Sequence, residues 1–165
     1  IEEATKGLGP ATPGTNARGR GPGARPATTL TVGVVPAMGE GPGVCAAVGD
    51  SPALLLSGGR WYELVGTGGG GAHVALTAAL PGDTGALEVR PFEWRRGDLL
   101  LLSSDGFAVS LERGRGGFAR RLAVDWQVPP DLREFYRQVD FRASTHEDDR
   151  TAVAVWAGNH DTAVR

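Results

Sequence analysis

The stretch GDLLLLSSDGF, Gly97 to Phe107, decides how this chain is read. Leu99 to Leu102 are four consecutive apolar residues with no alternation, which predicts a strand buried on both faces. Two serines follow, and then Asp105 presents a carboxylate at the mouth of that strand. Such a charge is costly there unless it is paired or holds a metal. Gly106 allows a tight turn and close backbone approach. Further on, EDDRTAVAVW, Glu147 to Trp156, runs in the reverse sense, from acids into an apolar strand. If the two strands pair antiparallel, the end of the first abuts the start of the second. Asp105 then shares a sheet edge with Asp148 or Asp149, an arrangement suited to a hard divalent cation.

Upstream, the pattern predicts strands over Thr28–Val35, Val44–Val48, Ala53–Ser57 and Arg60–Val65. Turns are expected at Gly39–Gly43, Gly49–Pro52 and Gly58-Gly59. Short strands at this spacing argue for antiparallel pairing. Gly66 to Gly71 is a loop that continues to Asp83; it lacks the Lys and Ser/Thr of a phosphate-binding loop. A further strand is expected over Ala86–Phe92. Gly117–Gln127 can form a helix, and Pro130-Asp131 opens another with Leu132, Phe135, Tyr136 and Val139 on one face. Thr151–Trp156 closes the pattern. Strands, then helices, then a strand make an α+β domain with mostly antiparallel sheets.

At 165 residues, 41% hydrophobic and 22% charged, the chain suits one globular domain or part of a larger one. Residues 1–26 are rich in Gly, Pro, Ala and Arg and read as a linker or disordered segment; 159–165 read as a polar tail. A chain that starts at Ile1 is expected to be a piece of a longer product. A net charge of −2 and a pI near 5.9 give no reason to expect nucleic-acid binding. The arginines at 18, 20, 113, 115, 120 and 121 read as solvated surface. No stretch is apolar enough to span a membrane and no signal peptide is visible, so the cytoplasm is the expected compartment. The single cysteine, Cys45, excludes a disulfide framework and a cysteine-rich zinc site; within Val44–Val48 it reads as a small buried hydrophobe.

Three acids share one design. Asp50 follows a strand, Asp105 follows a strand, and Asp149 precedes one. Each alone reads as a turn-forming aspartate. Together, strand ends at one edge can converge, and carboxylate oxygens suit Mg²⁺ or Mn²⁺ rather than zinc. His73 sits in the Gly-rich loop and His160 in the tail; His146 lies near Asp148, within reach of a metal or a substrate, but reads as a solvated loop histidine. There is no G-x-S-x-G element, and Cys45 has no activating neighbour in sequence.

VGDSPALLL (48–56), GDLLLLSSDGF (97–107) and EDDRTAVAVW (147–156) resemble, in order and spacing, three successive motifs of the metal-dependent protein phosphatase 2C family. The style is that of bacterial members, in particular those of high-GC actinobacteria, and the resemblance covers residues 27 to about 158. It implies an α-β-β-α sandwich of two antiparallel sheets flanked by helices, incomplete at its N-terminus. It also implies a signalling hydrolase that acts on phosphoserine and phosphothreonine in protein substrates, using water activated by two Mn²⁺ or Mg²⁺ ions. The complete domain is expected to be monomeric. Asp105 and Asp149 match metal aspartates, Asp148 is a neighbour of the site, and Asp50 matches an aspartate that helps hold a third ion. The loop 66–83 lies where the family varies a flap. The family's Glu-Asp and Asp-Gly-x-Gly motifs, the latter supplying the aspartate that bridges both ions, have no match here. The 165 residues alone are therefore expected to be inactive and marginally stable. Two other readings are a non-catalytic relative that binds partners, and an unrelated β-rich binding domain.

Overall fold

A computed structural model describes residues 26–66, 77–140 and 149–158. The expected linker over 1–26 (except Pro26), much of the 66–83 loop, Asp148, His146 and the tail lie outside the described residues. Among the described residues, seven strands form two sheets, both antiparallel throughout. The first comprises β1 (Leu30–Val34), β2 (Gly41–Val48) and β5 (Glu88–Trp94), in the order β1-β2-β5. The second comprises β3 (Ala53–Ser57), β4 (Arg60–Val65), β6 (Leu99–Ser103) and β7 (Ala152–Trp156), in the order β4-β3-β6-β7. The helices are α1 (Asp105–Ala108), α2 (Gly117–Asp125) and α3 (Leu132–Val139). The architecture is α+β, with two packed antiparallel sheets and, among the described residues, helices against the four-stranded one.

β6 explains why a run of leucines belongs at the centre. Leu99 and Leu101 face the helices, in a cluster with Leu54, Leu56, Phe107, Leu111, Leu122 and Trp126. Leu100 faces the other sheet, in a cluster with Cys45, Ala47, Leu55, Val65 and Trp94, and Leu102 packs against its margin. Alternate residues of one strand thus fill two separate cores, as the absence of alternation predicts. The sheets approach closely at Gly33, where a Cβ would lie 2.7 Å from Leu100 Cδ2.

β3 and β4 fall where the sequence places them, joined at Gly58-Gly59 with φ of +56° and +76°. This double positive φ is the hairpin geometry that favours glycine. Other boundaries differ. β2 begins at Gly41, inside the expected turn, because Gly41, Pro42 and Gly43 pair with Trp94, Glu93 and Phe92 of β5. Gly43 has no side chain, so the Phe92 ring lies across it. β5 starts two residues later than expected, since Thr84–Ala86 form a 3-10 turn. Pro91 is tolerated in β5 because that strand is an edge. The run of strands is divided between two sheets: the chain crosses from β2 to β3 through Gly49–Pro52. α2 ends at Asp125, and Trp126 beyond it is fully buried.

The face expected for α3 needs correction. Phe135 and Val139 pack on the core, but Leu132 and Tyr136 are 82% and 64% exposed. The helix is turned instead so that Gln138 accepts from Trp126 Nε1.

Candidate functional site

The β6–β7 pairing required by the acid-edge argument is present. Leu99–Ser103 pair with Trp156–Ala152, ending at Ser103 opposite Ala152. One further step is made beyond the strands, where Ser104 N donates to Thr151 O at 3.0 Å. Asp105 then opens α1, and Asp149 immediately precedes Arg150 and Thr151 on the facing segment. Asp105 and Asp149 therefore stand on two segments that are hydrogen-bonded at the same sheet edge.

Asp105 is exposed, and one of its oxygens accepts from Gly106 N at 2.8 Å. The desolvation cost expected of a carboxylate at a strand mouth is thus largely avoided, because α1 carries Asp105 out to solvent. Gly106 does not use a positive φ; it is buried in the first turn of α1, and its carbonyl accepts from Arg150 Nε at 3.3 Å. Ser104 ties the segments further. Its hydroxyl donates to the Asp149 carbonyl at 3.2 Å and accepts from Thr151 N at 3.0 Å.

Asp50 occupies the β2–β3 crossing. Ser103 N donates to Pro52 O at 3.1 Å, so the start of β3 lies at the same end of the sheet as Asp105. The Asp50 carboxylate accepts from Thr77 Oγ1 at 2.7 Å. The crossing is anchored to β1 through Thr31 Oγ1, which donates to Ser51 O, and to the residue before β1 through Thr29 Oγ1 and Ser51 Oγ, 3.0 Å apart. The topology thus places all three aspartates at one end of the four-stranded sheet. Among the described residues, however, no group of three or more His, Cys, Asp or Glu side chains comes together closely enough to hold a metal ion.

The donors are of the right kind for a hard cation, being carboxylate oxygens without sulfur or imidazole. Mg²⁺ is commonly held by one or two carboxylates, with waters and substrate phosphate completing its shell; Asp105 and Asp149 supply that number of carboxylates at this edge. They fall short of a cage for two ions. Cys45 is not a rival nucleophile: burial pushes its thiol up to about 11. Sequence reasoning overlooked Ser104 and Thr77. A serine just before a strand-end aspartate signals a helix cap, and nothing in the sequence links Thr77 to Asp50.

No protein-family model matches the sequence, and no curated protein matches it. Among solved structures, the phosphatase domain of the cell fate determinant SpoIIE from Bacillus subtilis is similar. It shares 19% identity and a TM-score of 0.46, covering 84% of this chain and 61% of that one. A crystal form of the same domain without domain swapping gives 16% and 0.37, covering 75% and 55%. The chain thus spans less than two thirds of the length of these structures, and the functional reading stands on its own residues.

Proposed function

We propose that this chain carries part of the metal-binding edge of a phosphatase 2C-type protein serine/threonine phosphatase, with Mn²⁺ or Mg²⁺ as cofactor. The reading is supported by one observation above the others: β6 and β7 pair so that Ser104-Asp105-Gly106 lies hydrogen-bonded against Asp149-Arg150-Thr151. Asp105 and Asp149 hold the cation, and Asp50, at the same end of the sheet, serves a further ion. A cation bound there supplies a water of lowered pKa and offsets negative charge on a phosphoryl group. The chain's part is to hold two carboxylates at a fixed, solvent-open edge that a phosphorylated side chain of a protein can approach. No helix among the described residues is long and apolar enough to cross a membrane.

The 165 residues contain a single Asp-Gly pair, Asp105-Gly106, so the family's second Asp-Gly element is not among them. Titration with Mn²⁺ and assay on a phosphothreonine peptide test the proposal. The expected result is cation binding without turnover above background. Turnover that disappears in Asp105→Asn would mean that the site is complete within this chain. A chain that binds neither Mn²⁺ nor Mg²⁺ would contradict the assignment. That outcome favours the second reading, a non-catalytic binding module, for which the lack of a three-ligand group among the described residues speaks.

A further inference from the structure

Ser104 occupies the N-cap position of α1, with an extended backbone at φ −69° and ψ 162°. A serine there ordinarily turns its hydroxyl onto the first free N–H groups of the helix, an interaction worth roughly 1 kcal/mol. Ser104 makes no such bond. The Phe107 and Ala108 amides reach the Ser104 backbone carbonyl instead, at 3.2 and 3.0 Å. The hydroxyl crosses to the facing segment, donating to the Asp149 carbonyl and accepting from the Thr151 amide. It brackets Arg150, whose Nε reaches back to the Gly106 carbonyl.

Building on the cation reading above, we infer that Ser104 is the positioning residue of the site: its hydroxyl clasps the Asp149 segment and fixes the spacing between Asp105 and Asp149. The chemistry restricts which residues can do this. The clasp needs a group that donates and accepts at once, on a side chain short enough to stay within one strand spacing. Serine and threonine meet that requirement. Alanine loses both bonds, and cysteine keeps the size while bonding poorly. The clasp also continues the β6–β7 ladder past Ser103, at the point where α1 turns the main chain away. Without it, the Asp105 turn and the Asp149 segment lose two of the bonds that tie them and retain the Ser104 N–Thr151 O bond and the Arg150 contact. Groups that orient metal ligands in this way typically change affinity by about 10- to 100-fold when removed.

The test is Mn²⁺ affinity, measured by electron paramagnetic resonance of free Mn²⁺ in wild type, Ser104→Ala, Ser104→Cys and Ser104→Thr, with far-UV circular dichroism to verify folding. The expected result is wild-type binding, about tenfold weaker binding in Ser104→Ala and Ser104→Cys, and recovery to within about twofold in Ser104→Thr. Should Ser104→Ala fail to fold, the Cys and Thr variants carry the comparison. Equal affinity in wild type and a folded Ala or Cys variant would overturn the clasp while leaving the cation site standing. Absence of binding in wild type would overturn both.

Discussion

Ser103 and Ser104 are neighbours with opposite surroundings. Ser104 bonds across to the segment that leads into β7, whereas the Ser103 hydroxyl is buried and finds no hydrogen-bond partner among the described residues. A buried unsatisfied hydroxyl costs about 1–3 kcal/mol. Ser103→Ala is therefore expected to leave stability unchanged or raise it by about 1 kcal/mol in urea denaturation; a loss of that size would contradict the assignment. Cys45 makes a separate prediction. Its thiol is raised by burial from 9.0 to about 11. The unfolded thiol ionises first, so this contribution to stability is whole below pH 9 and is lost as pH rises to 11, on the order of 2 kcal/mol. Cys45→Ala should lack that part of the alkaline decline. Labelling of the folded wild type by iodoacetamide at pH 8 should be slow.

At the scale of elements, α3 is the clearest case of a face settled by a tertiary partner. Leu132, Phe135, Tyr136 and Val139 have helical spacing, yet only two of them meet the core. Trp126 sets the orientation. It lies beyond the end of α2, stacks on Phe107 and packs against Phe135 with ring centroids 5.3 Å apart. Its N–H reaches Gln138. Periodicity within eight residues cannot reveal that contact. Phe135→Ala is accordingly expected to cost about 3 kcal/mol, and Leu132→Ser less than about 0.5, by chemical denaturation. The strands were more legible. The leucines of β6 and the Gly58-Gly59 hairpin carry their structure in local chemistry. The start of β2 did not, because Gly41 and Gly43 read as a turn until β5 is there to pair with them.

Over the whole molecule, both faces of the four-stranded sheet are covered, by helices on one side and by the three-stranded sheet on the other. The outer face of the three-stranded sheet is apolar and open among the described residues. Val34 pairs with Val44 and Val32 with Ala46, which in turn pairs with Val89. Val34 and Val89 are 58% and 52% exposed. A continuous apolar surface of this kind promotes association. Val34→Lys with Val89→Lys is expected to preserve the fold and lower self-association in sedimentation velocity. Unfolding of that variant would show that the valines are buried. At this scale the site was partly legible. The order strand-acid and then acid-strand places Asp105 and Asp149 at one edge if the two strands pair antiparallel, and β6 and β7 do pair so. The Asp50–Thr77 contact was not legible, because it joins a crossing between sheets to a distant loop.

The central claim, that the Asp105–Asp149 edge holds a hard cation, is tested most directly by calorimetric titration of Mn²⁺ into wild type, Asp105→Asn and Asp149→Asn. The account predicts saturable binding in wild type and at least about tenfold weaker binding in each variant. Binding of equal strength in all three, or in none, would contradict it.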